Sequence, residues 1–371
     1  MFYDYCESGS WTEQTFRDNT NDFARLRFRQ RVAVDMSNRT LASTMLGEPV
    51  AMPVALAPIG SLGMQHADGE ILSAHAAARF GVPYTLSTMS VSSIEDVAQL
   101  GPKKPFWFQL YVMQDWGFVD EIIARAKAAG CSALVLTLDL QLLGQRHKDL
   151  KNGLSTPPKL TLPNMLDFAT RLRWSMGMAR TPRRTFRNIV GHAKDVGDLA
   201  SLSTWANEQF DPRLDWPKVE RIRDKWGGKF VIKGILDPED AKLAVRCGAD
   251  AIVVSNHGGR QLDGALSTIR VLPSIVRAVK GQTEIWLDGG IRSGQDILKA
   301  LALGADATMI GRAYVHGLGA MGEAGVTRAL EVIAKEMDFT MALCGRRDIR
   351  TVDRDILLVP KDFEGEWADN M

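Results

Sequence analysis

The chain has 371 residues, 45% of them hydrophobic and 24% charged, a balance that excludes a disordered or fibrous protein. Its 45 Lys and Arg against 44 Asp and Glu leave a net charge of +1, which gives the chain as a whole no electrostatic footprint for nucleic acid. Cys6, Cys131, Cys247 and Cys344 are scattered without any CxxC spacing, which argues against a disulfide framework and a zinc site and fits a reducing compartment.

In chain order, the polar opening Met1-Phe2-Tyr3-Asp4-Tyr5 is no secretory signal. The most nearly apolar run, Val50 to Met64, is broken by Pro53 and Pro58 and is too short for a bilayer, so a cytoplasmic protein is expected. Short β-branched or apolar runs then recur at 52–60, 83–88, 106–111, 132–139, 230–234, 251–256, 284–290 and 307–312. Between them 117–129, 238–247 and 294–303 read as amphipathic helices, each opening near an acidic residue and closing before a glycine. Eight strands alternating with helices predict an α/β fold, a (β/α)8 TIM barrel, as one domain over 1–371. A doubly wound sheet is the alternative. Polar residues favour the barrel, because Gln109, Tyr111, Thr137, Asp139, Lys233, Ser255, His257, Asp288 and Arg312 all fall at C-terminal strand ends, where barrel enzymes build their active sites.

Gln109 and Tyr111, two apart on the third strand, share a face, so a tyrosine hydroxyl facing the mouth can bond a substrate hydroxyl. The fourth strand ends in Asp139, a carboxylate that can orient and stabilise a protonated imidazole, and Arg146 follows it. The connection from the fourth to the fifth strand, 145–229, holds most of the length beyond a barrel's needs. Within it, 159–194 carries Lys159, Arg171, Arg173, Arg180, Arg183, Arg184, Arg187 and Lys194 against Asp167 alone. Leu166, Phe168, Leu172, Trp174, Met176, Met178, Phe186 and Ile189 are interleaved with them. This basic, partly apolar insertion between strands 4 and 5 suits an anionic membrane surface, with an active-site lid or a subunit contact as alternatives.

Lys233 closes the fifth strand and can set a fixed cation against developing negative charge. After the sixth strand, SNHGGRQLDG (255–264) places His257 and Arg260 three residues apart on a glycine-rich loop. An imidazole can take a proton and a guanidinium can grip a carboxylate through two parallel hydrogen bonds, so the pair suits proton removal from a carboxylic acid. Asp288-Gly289-Gly290-Ile291-Arg292 after the seventh strand and Gly311-Arg312 after the eighth lie where barrels commonly bind a phosphate. The six histidines form no HxH or HxxxH spacing, so no metal is implied, and no GxGxxG follows the first strand. A phosphorylated organic cofactor is indicated, with flavin and pyridoxal phosphate both open.

The segments SNHGGRQLDG (255–264), FQLY (108–111), LTLD (136–139), VIKG (231–234) and DGGIR (288–292) resemble the FMN-dependent α-hydroxy acid dehydrogenase/oxidase family over nearly the whole chain. VALAP (54–58), IKGILDPED (232–240) and the basic insertion are most similar to its bacterial members that oxidise L-lactate. The resemblance implies FMN as cofactor, His257 as base, Asp139 as its partner, Arg260 and Arg146 as a carboxylate clamp, Tyr111 at the substrate hydroxyl and Tyr5 at the carboxylate. It assigns Ala57, Pro58, Ile59 and Gly60 to flavin contacts through the backbone, Ser87, Gln109 and Thr137 to the ring, Lys233 to the N1–O2 edge, and Ser255 to a further polar contact. The phosphate falls to Asp288, Gly289, Gly290, Arg292, Gly311 and Arg312.

The implied reaction is oxidation of an L-2-hydroxy acid, lactate first, to the 2-keto acid, with electrons passing through FMN to a quinone or another respiratory acceptor. An oxidase using oxygen and yielding peroxide is the alternative; Gly60 stands where family oxidases often carry alanine, and Met89 where some members place a tryptophan. His257 accepts a proton whether the α-hydrogen leaves as a proton or as a hydride. The resemblance also implies a homotetramer, and the basic insertion places the protein peripherally on the inner face of the cell membrane, where quinones reside.

Overall fold

In the computed structural model, which describes residues 2–152, 162–189 and 208–364, each expected run coincides with one strand, the fifth strand extending one residue beyond its run at each end. These are β1 Val54–Leu56, β2 Thr85–Ser87, β3 Trp107–Leu110, β4 Ala133–Thr137, β5 Lys229–Ile235, β6 Ala251–Val254, β7 Glu284–Asp288 and β8 Ala307–Ile310. From β2 to β8 each strand pairs in parallel with the next, and β8 pairs with β1. A parallel bridge between Leu56 and Tyr84, with the Leu56 N–H donating to the Pro83 carbonyl at 2.9 Å, joins β1 to β2. The ring is thereby closed, which excludes an open doubly wound sheet.

Helices Trp116–Ala128, Pro238–Arg246 and Gly294–Ala302 lie within one residue of the sequence expectation. Each is started by a side chain that satisfies an orphan N–H of the first turn. Asp115 accepts from the Phe118 N–H at 3.2 Å, and Asp237 from the Glu239 N–H at 2.8 Å. Ser293 and Asp296 form a reciprocal capping box. Helices His147–Lys151, Leu162–Thr170 and Leu172–Arg180 belong to the long connection that precedes helix Trp216–Trp226. The four cysteines are buried free thiols.

The two-residue period of a strand decides what fills the barrel. Ala55, Trp107, Val135, Val231, Val253, Trp286 and Met309 form an interior cluster, distinct from the outward Leu136, Ile232, Ile252 and Leu287 that pack in the main core. Trp107 and Trp286 stack with ring centroids 5.2 Å apart and planes 13° from parallel. Ala133, Ala251 and Ala307 in the same layer leave room for those two indoles. The hairpin of strands Ser43–Met45 and Glu48–Val50 adds Met45, Leu46 and Val50 to this cluster. Two residues further along, the same inward parity delivers Gln109, Thr137, Lys233, Ser255 and Asp288 to the opposite mouth. One alternation thus yields an apolar floor and a polar roof. Trp286→Ala is expected to cost about 3–5 kcal/mol in denaturant unfolding; a loss below about 1 kcal/mol would mean that the indole stack does not hold the floor.

Candidate active site

The polar roof is wired by a buried chain of charge-assisted hydrogen bonds. Lys233 Nζ lies 2.7 Å from Asp288 Oδ2 and donates to Ser255 Oγ at 2.9 Å. Ser255 Oγ donates to the same carboxylate at 2.8 Å and accepts the His257 backbone N–H at 3.1 Å, which uses the full capacity of one hydroxyl. Burial pulls the Lys233 ammonium down, but Asp288 and Asp139 overcome it and hold the group above its ordinary value. Burial likewise pushes Asp288 up, and Lys233 with Ser255 brings it below the usual carboxylate range. Both groups are therefore charged.

His257 has φ 58, followed by Gly258 at 67 and Gly259 at 75. Three successive left-handed residues are tolerable because histidine visits that region more than most side chains and glycine carries no Cβ. The turn aims the imidazole with Nδ1 2.9 Å from Asp139 Oδ1 and Nε2 3.4 Å from Tyr111 Oη. Asp139 reaches it because Gly234, at φ 105, has no side chain; a Cβ there would sit 2.8 Å from the Asp139 Cβ and Cγ. Burial, then Asp139 and Tyr5, push the Tyr111 phenol above its ordinary range, so it stays protonated.

A cleft of about 1120 Å³ opens over this assembly, lined by Tyr5, Ala57–Gly60, Tyr111, Arg146, Lys233, His257, Arg260, Asp288–Arg292, Gly311 and Arg312 among others. It thus gathers most of the residues expected from sequence. Asp139 stands behind His257, and Ser255 beneath Lys233. Arg146 Nε pairs with Asp149 Oδ2 at 2.5 Å. Arg260 donates to the Tyr5 and Ser8 carbonyls at 2.5 and 3.2 Å and lies 4.6 Å from the Tyr5 ring centroid. Arg312 donates to the Cys6, Gly258 and Ser8 carbonyls at 2.5, 3.1 and 2.9 Å. These two arginines therefore also strap the N-terminal segment across the cleft. Burial and the neighbouring Arg260 and Arg292 charges bring Arg312 down to about 9. Burial lowers Arg292 as well, and burial with Arg260 lowers Arg146. A buried cluster of mutually repelling cations is matched to anionic ligands.

Two buried polar atoms point to a ring-shaped polar ligand. Gln109 Nε2 and Thr137 Oγ1 find no hydrogen-bond partner among the described residues, although a buried donor without a partner is costly. Beside them Ser87 Oγ donates to Gln109 Oε1 at 3.1 Å. These groups, the Lys233 cation and the arginine-flanked glycine loops fit a flavin mononucleotide: hydrogen-bonding edges for the ring, positive charge and backbone for the phosphate.

The insertion contributes a wall to the cleft, as the active-site lid alternative anticipates. Phe186 and Ile189, expected on a membrane-facing surface, are 2% and 1% exposed, Met178 is also buried, and Phe186 lines the cleft with Leu140, Leu143, Met89 and Phe210. Asn188 pins this return: its Nδ2 donates to Ser90 Oγ at 2.9 Å and to the Ser87 carbonyl at 3.3 Å, and its Oδ1 accepts the Ile94 N–H at 2.9 Å. Arg183 pairs with Asp68 at 2.7 Å and Arg187 with Asp96 at 3.1 Å. Those charges hold the insertion on the barrel. Lys159 and Lys194 lie outside the described residues. Glu70, which sequence reasoning missed, joins the loops after β1 and β2 by accepting the Gly63 and Val91 N–H groups, each at 3.0 Å, and the Ser92 hydroxyl at 2.9 Å.

The family model described as FMN-dependent dehydrogenase matches residues 1–359. The chain belongs to this family. The L-lactate dehydrogenase of Actinobacillus pleuropneumoniae is 48% identical over 360 residues, covering 96% of this chain and 93% of that protein. That of Xanthomonas euvesicatoria is 47% identical over 359 residues, covering 96% and 92%. Among solved structures, the monotopic membrane protein (S)-mandelate dehydrogenase matches with a TM-score of 0.90 at 36% identity, covering 97% of this chain and 95% of that one. A mandelate oxidase with (S)-4-hydroxymandelic acid matches at 0.82 and 36%, covering 96% and 93%. This dehydrogenase uses FMN to oxidise L-2-hydroxy acids. Gly234→Ala is expected to displace Asp139 from His257 and lower turnover by up to about a hundredfold with FMN still bound; undiminished turnover would show that the close approach is unnecessary.

Proposed function

We propose that the protein oxidises L-lactate to pyruvate and delivers the electrons to a membrane quinone. The carrying observation is the His257 imidazole, held by Asp139 on one nitrogen and presented beside Tyr111 on the other, within a cleft rich in arginine. Bound FMN supplies the two-electron chemistry. Gln109, Thr137 and Ser87 would hold its ring, with the Ala57–Gly60 backbone, and Lys233 with Ser255 would supply a cation for the charge that develops there. Gly289, Gly290, Arg292, Gly311 and Arg312 would hold the phosphate, aided by the N-terminus of helix Arg312–Met321. Asp288, whose carboxylate has the same sign as a phosphate, acts by fixing Lys233 and Ser255.

For the substrate, Arg260, Arg146 and Tyr5 grip the carboxylate, and the protonated Tyr111 holds the hydroxyl. His257 takes a proton, and Asp139 stabilises the resulting imidazolium. Met89, Phe186, Phe210, Leu140 and Leu143 leave the substrate side chain an apolar wall that suits a methyl group. The 47–48% identity to L-lactate dehydrogenases, against 36% to the mandelate enzymes, favours the same choice.

Attachment to the inner face of the membrane is supported by exposed Met165, Leu166, Leu172 and Met176 alongside exposed Arg173, Arg180 and Arg184. A structural relative is described as monotopic. Among the described residues no helix is long and apolar enough to cross a membrane.

His257→Gln is expected to keep FMN and lower L-lactate turnover with an artificial acceptor by roughly a hundredfold to ten-thousandfold; a wild-type rate would contradict the base assignment. Joint replacement of Arg173→Glu and Arg180→Glu is expected to weaken sedimentation with anionic vesicles at least about tenfold, and unchanged binding would remove the membrane reading.

A further inference from the structure

We propose that the protein carries a second binding cleft, beside the substrate cleft, for the quinone that removes its electrons. The proposal rests on the acceptor reading given above. The cleft, of about 1350 Å³, lies among helix Phe2–Cys6, the insertion helices Leu162–Thr170 and Leu172–Arg180, and helix Arg312–Met321. Cys6 and Val315 line both clefts, so the two share one partition of side chains.

A quinone headgroup has two flat apolar faces and a carbonyl at each end, so it needs aromatic surface and a nearby proton donor. Phe168 stacks on Trp174 with centroids 5.1 Å apart, and Phe2 lies 5.8 Å from the same indole. Trp174 Nε1 donates to the Met64 carbonyl at 2.9 Å, which fixes the indole in place. His316 lines the same cleft, with Nε2 2.8 Å from Glu7 Oε1 and its ring edge-on to Tyr3 at 5.8 Å. Glu7 Oε1 also lies 3.8 Å from Arg312 Nε on the substrate side. The exposed Met165, Leu166, Leu172 and Met176 stand on the two helices that form one wall, which suits an acceptor arriving in lipid with an isoprenoid tail.

Oxidation of one hydroxy acid releases two electrons and two protons. The quinone takes both electrons, and two protons convert its carbonyls to the two hydroxyls of a quinol. His316, hydrogen-bonded to Glu7 and 41% exposed at its side chain, is placed to pass a proton to a quinol oxygen and regain one from water.

Gly319 lines this cleft and not the substrate cleft. It lies in helix Arg312–Met321 and lines the second cleft, and an added Cβ there meets nothing within 4 Å. Gly319→Leu therefore starts from an unobstructed Cβ and adds a branched side chain at the cleft's lining, and leucine favours the helix over glycine. Purified FMN-loaded enzyme is titrated with a decyl-substituted benzoquinone without substrate, binding being read as quenching of tryptophan fluorescence. KM for that quinone is measured beside the rate at which L-lactate reduces the flavin. Gly319→Leu is expected to raise the quinone Kd and KM at least about tenfold, and to leave lactate-driven reduction and ferricyanide turnover within about twofold. If wild-type enzyme takes the quinone and Gly319→Leu changes neither Kd nor KM, the cleft assignment is overturned alone. A quinone that neither quenches nor oxidises the wild-type enzyme overturns the acceptor reading and the cleft with it. Equal competition by decanol, which has the tail but no ring, assigns the cleft to an acyl chain and also overturns the proposal.

Discussion

The buried Lys233–Asp288 ion pair is the interaction on which the site depends. Removing two charges from water is expensive, and their attraction offsets that cost only when the geometry is close and the remaining valences are filled. Ser255 fills them, and in doing so it ties β5, β6 and β7 together at the barrel mouth. Because the same hydroxyl accepts the His257 N–H, the Lys233 cation and the His257 turn are set by one hydroxyl group. Asp139 completes the chain from β4 through His257 Nδ1. The geometry of the cleft is thus anchored at the ends of four adjacent strands.

Two segments outside the barrel finish the site, and both are held by groups that also face the ligands. The N-terminal strap rests on Arg260 and Arg312, which also line the cleft. The insertion is clamped through Asn188 onto the loop that carries Ser87 and Met89, and it lends Phe186 to the wall. The exposed apolar and basic residues of 165–184 and the cleft-lining Phe186 therefore belong to one stretch of chain.

The barrel was legible because strand period and helix caps are local signals, and the polar strand ends followed the same alternation. Gln109, Thr137, Lys233, Ser255 and Asp288 share the inward parity of the interior apolar residues, so position alone placed them. Phe186 and Asn188 were not legible, since they sit in a long connection without periodicity and act on residues about a hundred positions away. Arg183 and Arg187 read as surface charge because their partners Asp68 and Asp96 are equally remote in sequence. The double duty of Arg260 and Arg312 depends on a strap whose path no local pattern reveals.

The most direct measurement is the visible spectrum of the purified FMN-loaded protein, recorded anaerobically before and after addition of L-lactate and, separately, of D-lactate. Prompt loss of the oxidised flavin bands with L-lactate and none with D-lactate is the expected result. A flavin that stays oxidised with L-lactate, or bleaches equally with both enantiomers, would contradict the assignment of this cleft to L-lactate oxidation.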